Sequence, residues 1–191
     1  MPHIDSSPNL PVDAAYQSIY HLLSAQAKQN PDAISIAAPG RNPLSYRRLF
    51  MHINDMVNVL NSKGIGRNDR VAIVLPNGPE MAVTFLTVAA GATSAPLNPN
   101  YGVSEFEFYL SDLKAKTLIV QTGLESPARS AAEKCGIPII ELIPTLDAEA
   151  GIFTFEGECA AKTSQTGFAQ PDDVALVLHT SGTTSRPKIV P

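Results

Sequence analysis

The densest run of chemically capable side chains is His179-Thr180-Ser181-Gly182-Thr183-Thr184-Ser185-Arg186-Pro187-Lys188, close to the end of the 191-residue sequence. Four hydroxyl residues and a glycine fill positions 180–184, and Arg186 and Lys188 add positive charge just beyond them. A loop of this kind offers backbone N–H groups and hydroxyl donors to a polyanion, and Gly182 lets the backbone approach closely. Lys188 supplies a compact point charge, to which Arg186 can add a second. The chemistry that needs such a set is the holding of a nucleotide triphosphate. Ser/Thr/Gly clusters are more often plain loops, however, and no Gly-Lys-Ser/Thr follows a spaced glycine as the Walker pattern requires. On composition alone both readings stand, with the plain loop the commoner outcome.

The elements that must position this run can be read from hydrophobic spacing. Ile19, Leu22, Leu23 and Ala27 recur at helical intervals, and Asn30-Pro31 stops that helix because a residue before proline is pushed out of the α region. Residues 33–37 read as a short strand, followed by a turn at 39–42. Ser45 is placed to cap a long amphipathic helix with Leu49, Ile53, Met56, Val57 and Leu60 on one face, and Gly64 suits the position just past its end. Apolar runs at 70–75, 94–97, 117–120 and 137–142 have strand length, and helices are expected at 79–90, from a Ser104 cap through Leu113, and at 126–135. Strands apolar throughout, alternating with helices, predict an α/β fold with a mostly parallel sheet covered on both faces. Residues 144–170 turn polar and are expected to form a surface excursion. Val174-Ala175-Leu176-Val177-Leu178 then reads as a buried-type strand running straight into the Ser/Thr/Gly loop. The organisation expected is a flexible lead over 1–15, an α/β subdomain over 16–170, and a strand plus phosphate-binding loop over 171–191 that opens a further portion.

Composition removes several function classes. Hydrophobic residues make up 44% and charged residues 17% of the chain, enough apolar material for a core. The net charge of −4 and the absence of basic clusters argue against nucleic acid; Arg47-Arg48 and Lys114/Lys116 come nearest and read as solvated helix faces or ends. Cys135 and Cys159 have no CxxC spacing and no histidine cluster, which suits two reduced thiols inside the cell better than a zinc site or a disulfide. No apolar stretch is long enough to span a membrane, and residues 1–5 lack the features of a secretory signal. The expected location is cytoplasmic or peroxisomal. His21 and His52 are expected at surface or boundary positions, and His179, alone at a strand end, reads as structural. Asn98, Asn100 and Tyr101 suit either a pocket edge or a turn.

The run from Thr180 to Lys188 resembles the phosphate-loop signature of the acyl-adenylate-forming superfamily, Thr-Ser-Gly-Thr-Thr-Gly-x-Pro-Lys-Gly after an apolar strand. Earlier segments resemble the same family in order: Leu44-Ser45-Tyr46 before a helix, 70–75 with Pro76-Asn77, the small-residue helix to Gly91, and Ala95-Pro96-Leu97-Asn98-Pro99. Leu178-His179-Thr180 and Ser185-Arg186-Pro187 look most like the fungal and plant oxalate–CoA ligase branch, which is often peroxisomal. The resemblance implies joining a carboxylic acid to ATP, with Mg²⁺ sharing the phosphate charge, to give acyl-AMP and pyrophosphate. Transfer of the acyl group to a thiol such as CoA would follow. It implies phosphate contacts from Thr180, Ser181, Gly182, Thr183 and Thr184, with Lys188 as a charge partner in the same loop, and it assigns no catalytic residue and no protein-held metal. The family's adenine-binding segment, ribose-binding acid and C-terminal catalytic lysine have no counterpart in these residues, so the chain is expected to be inactive alone and to expose apolar surface open to self-association. A noncatalytic interaction fragment, a phosphate-binding module of another kind, and a ligase with a non-CoA acceptor remain as alternatives. Ser185 and Ile189 stand where the signature has glycine. A β-branched residue is costly where φ must be positive, so Ile189 is expected to strain the loop.

Overall fold

The computed structural model describes residues 18–158, 163, 165–180 and 188–191; the expected lead over 1–15, Cys159 and the stretch 181–187 lie outside them. In chain order the elements are α1 (Ile19–Gln29), β1 (Ile34–Ile36), β2 (Leu44–Ser45), α2 (Tyr46–Ser62), β3 (Arg70–Val74), α3 (Pro79–Gly91) and β4 (Thr93–Pro96). They continue as α4 (Val103–Leu113), β5 (Thr117–Gln121), α5 (Pro127–Cys135), β6 (Ile139–Pro144), β7 (Phe153–Glu156), β8 (Leu178–Thr180) and β9 (Lys188–Val190).

Five strands form the central sheet in the order β4-β3-β5-β6-β7, with the first four parallel and β7 antiparallel at the edge. The alternation of a strand sends successive side chains to opposite faces, and here both faces are apolar. Val71, Ile73, Ile119, Ile140 and Leu142 face a core built with α1, α2 and α3. Ala72, Val74, Leu118 and Val120 face a second core with Phe106, Leu110 and Leu113 of α4 and Ala128, Ala131 and Ala132 of α5. This double burial is why the strands read as unbroken apolar runs rather than alternating ones. Because β3 leads through α3 on one face and β5 through α5 on the other, the winding reverses between β3 and β5.

Helix ends follow local chemistry. The Ser45 hydroxyl accepts from the Arg48 N–H, and Gly64, at φ 83°, follows the Lys63 cap of α2 as its spacing predicts. Helix α4 starts earlier than expected: Gly102 is its cap, Ser104 lies within the first turn, and the Glu105 carboxylate reaches back to the Gly102 N–H at 2.9 Å. At the other end of α3, Gly91 has a packing reason, since a Cβ there would lie 2.6 Å from Val57 Cγ1 on α2.

The short strand expected at 33–37 does form, as β1, and it pairs antiparallel with β2 outside the main sheet. Other expectations need correction. The stretch 144–170 is not wholly a surface excursion: Phe153 and Phe155 of β7 are buried while Thr154 and Glu156 are exposed, an edge strand with one wet face. Arg41 braces the turn between β6 and β7, donating to the carbonyls of Thr145 and Glu149 and pairing with Glu80 at 3.1 Å. Leu22, expected on the apolar face of α1, is exposed. Lys116 is not a solvated charge; its ammonium pairs with Asp69 at 3.0 Å, and its side chain is only 16% exposed. His52 is buried, 7% exposed, with its ring edge-on to Phe153. No helix among the described residues is long and apolar enough to cross a membrane.

Candidate functional site

The approach to the Ser/Thr/Gly run is held by a sequence of side-chain and backbone contacts. Gly66 comes first: a Cβ there would sit 2.0 Å from the Gln165 carbonyl oxygen, so only glycine lets the two backbones meet. The Arg67 N–H donates to that same carbonyl at 2.9 Å. The Arg67 guanidinium then grips Asp173 with both ends, Nε to Oδ2 at 2.5 Å and Nη2 to Oδ1 at 3.1 Å. Asn68, in the left-handed region at φ 63°, donates to Asp173 at 2.7 Å and accepts from the Val174 N–H at 3.1 Å. The Gln170 N–H adds a bond to Asp173 at 2.7 Å. Arg67's hydrogen bond, helped by the Gln170 N–H and Asn68, holds the Asp173 carboxyl below the usual carboxylate range against the opposing effect of burial.

Beyond this clasp the chain runs beside β4. Thr93 Oγ1 donates to the Val174 carbonyl at 2.7 Å, the Ser94 N–H to Ala175 at 2.9 Å, and the Val177 N–H to the Ser94 carbonyl at 2.9 Å. This is a parallel bridge, Ser94 to Leu176, rather than the fully buried strand over 174–178 that hydrophobicity suggests. Val177 alone sinks into the second core, while Val174 and Leu178 stay 37% and 46% exposed. The strand proper begins at Leu178: β8 pairs antiparallel with β9 in the register Leu178–Val190, His179–Ile189 and Thr180–Lys188.

The middle pair of this hairpin faces the body and the outer pairs face away. His179 is buried by its side chain, bonds Asp112 Oδ2 through Nε2 at 3.0 Å, and packs edge-on against Tyr109 with ring centres 4.7 Å apart. An ionised carboxylate only accepts, so Nε2 carries the hydrogen. Tyr109 in turn stacks on Tyr101 at 4.9 Å, and their hydroxyl contact raises the Tyr109 phenol above its usual range. Ile189 packs against the second core. It does not take a positive φ, which among described non-glycine residues only Asn68 and Lys114 do. The expected strain at Ile189 is therefore absent: here the position is an inward-facing strand residue, where a β-branched side chain is favoured.

Of the sequence-derived phosphate ligands, the structure brings Thr180 and Lys188 together as an exposed pair at the end of the hairpin that flanks residues 181–187, the Thr180 hydroxyl donating to the Lys188 carbonyl at 3.4 Å. Ser181, Gly182, Thr183 and Thr184 lie outside the described residues. A hydroxyl and an ammonium are a donor set that suits phosphate oxygens rather than a metal ion. No cluster of metal-ligating residues occurs among the described residues. Asn98, Asn100 and Tyr101 form a turn, the Asn100 N–H donating to Asn98 Oδ1 and the Tyr101 N–H to the Asn98 carbonyl. His179, expected as a structural residue, turns inward and bonds Asp112. Sequence reasoning missed Asp112 and the link from Arg67 and Asn68 to Asp173, because no local spacing ties residues 67 or 106 positions apart. It also missed a small crevice of about 100 Å³ at the strand-order reversal, between the ends of β3 and β5 and lined by Val74, Leu75, Pro76, Pro99 and Val120. Open α/β sheets bind ligands at such reversals, although this one is too small for a nucleotide.

A parallel sheet wound on both faces thus leads into a short β8–β9 pairing that brackets the Ser/Thr/Gly run of the sequence. The family model for AMP-binding enzymes matches residues 23–191, and the chain belongs to that family. Among curated relatives, it is 38% identical over 174 residues to an oxalate–CoA ligase of Arabidopsis thaliana, covering 89% of this chain and 34% of that protein. It is 40% identical over 192 residues to an oxalate–CoA ligase of Saccharomyces cerevisiae, covering 84% of this chain and 35% of the relative. The chain thus spans about a third of the length of these relatives. The crystal structure of a long-chain-fatty-acid–CoA ligase from Archaeoglobus fulgidus superposes with a TM-score of 0.68 at 21% identity, over 91% of this chain and 36% of that one, a likeness of fold.

Proposed function

We propose that this chain is the N-terminal portion of an ATP-dependent carboxylic acid–CoA ligase, and that residues 180–188 hold the β- and γ-phosphates of ATP. The observation that carries the reading is the hairpin: its stem presents Thr180 and Lys188 side by side, facing away from the body, with the hydroxyl-rich run 181–184 between them. The relatives named as oxalate–CoA ligases support a CoA thioester as product and a small dicarboxylic acid as substrate.

In the first half-reaction a carboxylate oxygen attacks the α-phosphorus of ATP, the bond to pyrophosphate breaks, and acyl-AMP forms. In the second, the CoA thiol attacks the acyl carbon and AMP leaves. The chain's own contribution falls on the first. Backbone N–H groups, the hydroxyls of Thr180, Ser181, Thr183 and Thr184, and the Lys188 ammonium neutralise and orient the departing pyrophosphate, a stabilisation by preplaced dipoles and charge. Mg²⁺ arrives with ATP as its complex. Residues 16–170 act as the subdomain that carries this loop, and 171–191 open the next portion.

The test uses the longest reading frame that contains this chain, purified and assayed for acid-dependent ATP–pyrophosphate exchange and CoA-dependent AMP release, with oxalate as the first acid. Both activities are expected, with the 191-residue chain alone showing neither. Tight ATP binding without exchange for any carboxylic acid would favour a noncatalytic nucleotide module instead.

A further inference from the structure

The hairpin that carries Thr180 and Lys188 is joined to the body through very little. Its outer residues Leu178, Thr180, Lys188 and Val190 are all exposed, and only the middle pair, His179 and Ile189, faces inward. Ile189 offers nondirectional packing. His179 supplies the one side-chain hydrogen bond seen between the described hairpin and α4, Nε2 to Asp112 Oδ2 at 3.0 Å, and its ring is set edge-on against Tyr109. Packing alone permits rocking of a two-stranded ribbon, whereas a directed bond to a helix fixes its angle.

We propose that His179, through Asp112, is a positioning residue for ATP: the pair sets the angle at which the hairpin presents Thr180 and Lys188 to the phosphates. The inference rests on the adenylation reading above. Thr180 adjoins His179 in the chain, and Lys188 is bonded across from Thr180 and adjoins Ile189. A tilt about the inward pair therefore displaces both phosphate-facing residues together. Three or more donors must meet one polyanion at once, so a small tilt weakens them jointly. The second half-reaction contains no triphosphate and does not need that alignment.

Asp112 lies on the surface of α4, its side chain 40% exposed, so Asp112→Ala removes the acceptor without opening the core. In the full-length protein, with oxalate and MgATP, Asp112→Ala is expected to raise KM for ATP in pyrophosphate exchange by about 5- to 30-fold, the range of one charge-assisted hydrogen bond partly open to solvent. His179→Phe keeps the ring against Tyr109 and loses the donor, so it should show a similar rise. The double variant should be no worse than either single one, the signature of two residues acting as a unit. His179→Gln retains an N–H donor and should recover most of the loss. Thioester formation from pre-made acyl-AMP should be unchanged in all four. Additive losses in the double variant, equal losses in the two half-reactions, or a wild-type KM in Asp112→Ala would each overturn the assignment. Should His179→Phe fail to fold, Asp112→Ala decides alone through the split between half-reactions. A wild-type protein with no acid-dependent exchange would instead sink the adenylation reading, and this inference with it.

Discussion

The central sheet and the β8–β9 hairpin are buried very differently. In β3 and β5, Val71, Ile73, Leu118 and Ile119 are wholly enclosed between helices on the two faces. In the hairpin, Leu178 and Val190 keep nearly half of their surface in solvent, and only His179 and Ile189 turn inward. The sheet is thus held by apolar area, which is diffuse and redundant. The hairpin is held by a few directed contacts: the Asp173 clasp at its approach, the backbone bonds to Ser94, and the His179–Asp112 bond at its stem. Under the proposed phosphate-binding role, this part presents donors that cannot also be buried, so its position is fixed from the flanks.

The largest effect should come from the sheet. Ile119→Ala empties space wholly enclosed between β5 and the first core and should cost about 2–5 kcal/mol in urea unfolding. A loss below 1 kcal/mol would mean that the two-faced core does not set stability. Acid sharpens the same contrast. Burial pushes the His52 imidazole down to about 4, with Asp55 and Glu149 opposing and Arg48 assisting. Because the folded value lies below the ordinary 6.5, the unfolded chain binds more protons between these limits, and stability is full above that window and falls as pH drops through it. The loss from pH 6.5 to pH 4 should be on the order of 3 kcal/mol, and His52→Phe should flatten that part of the unfolding profile. An unchanged profile would place the ring in contact with water.

Ile189→Gly separates two accounts of the hairpin. Restoring the family's glycine would relieve strain if the position needed a positive φ, raising adenylation. The structure makes it an inward-facing strand residue. The change should therefore cost about 1 kcal/mol of hairpin order or more and lower the adenylation rate. Faster adenylation in Ile189→Gly would reinstate the strain account. At the small end, Leu178→Ala touches only an exposed face and should alter stability by about 0.5 kcal/mol or less. A large loss there would show that the outer face of the hairpin is covered in the longer protein.

What could be read from residues alone divides along the same line. The alternating strands and helices, the Ser45 cap and Gly64 were legible because each rests on local spacing. The double-sided burial of β3 and β5 was legible because both faces leave the same mark, an unbroken apolar run. Strand β7 was obscured by its acidic and glycine neighbours, although Phe153-Thr154-Phe155-Glu156 carries the period of an edge strand. His52 looked like a boundary residue because a polar side chain on an amphipathic helix usually is one; Phe153, about a hundred positions later, covers it. The Ser/Thr/Gly run was legible as a motif, and the contacts that hold its flanks were not, since Arg67 to Asp173 and Asp112 to His179 are meetings created only by the fold.

The most direct measurement of the central claim compares the two half-reactions of the full-length protein after Thr183→Ala, Thr184→Ala and Lys188→Ala. Each substitution removes a donor to a charged phosphate oxygen, worth roughly 1.5–3 kcal/mol, so adenylation should slow by about tenfold to a hundredfold. Thioester formation started from acyl-AMP should hold near the wild-type rate. Equal slowing of both steps would contradict the account and leave residues 180–188 as a loop that serves folding rather than phosphate.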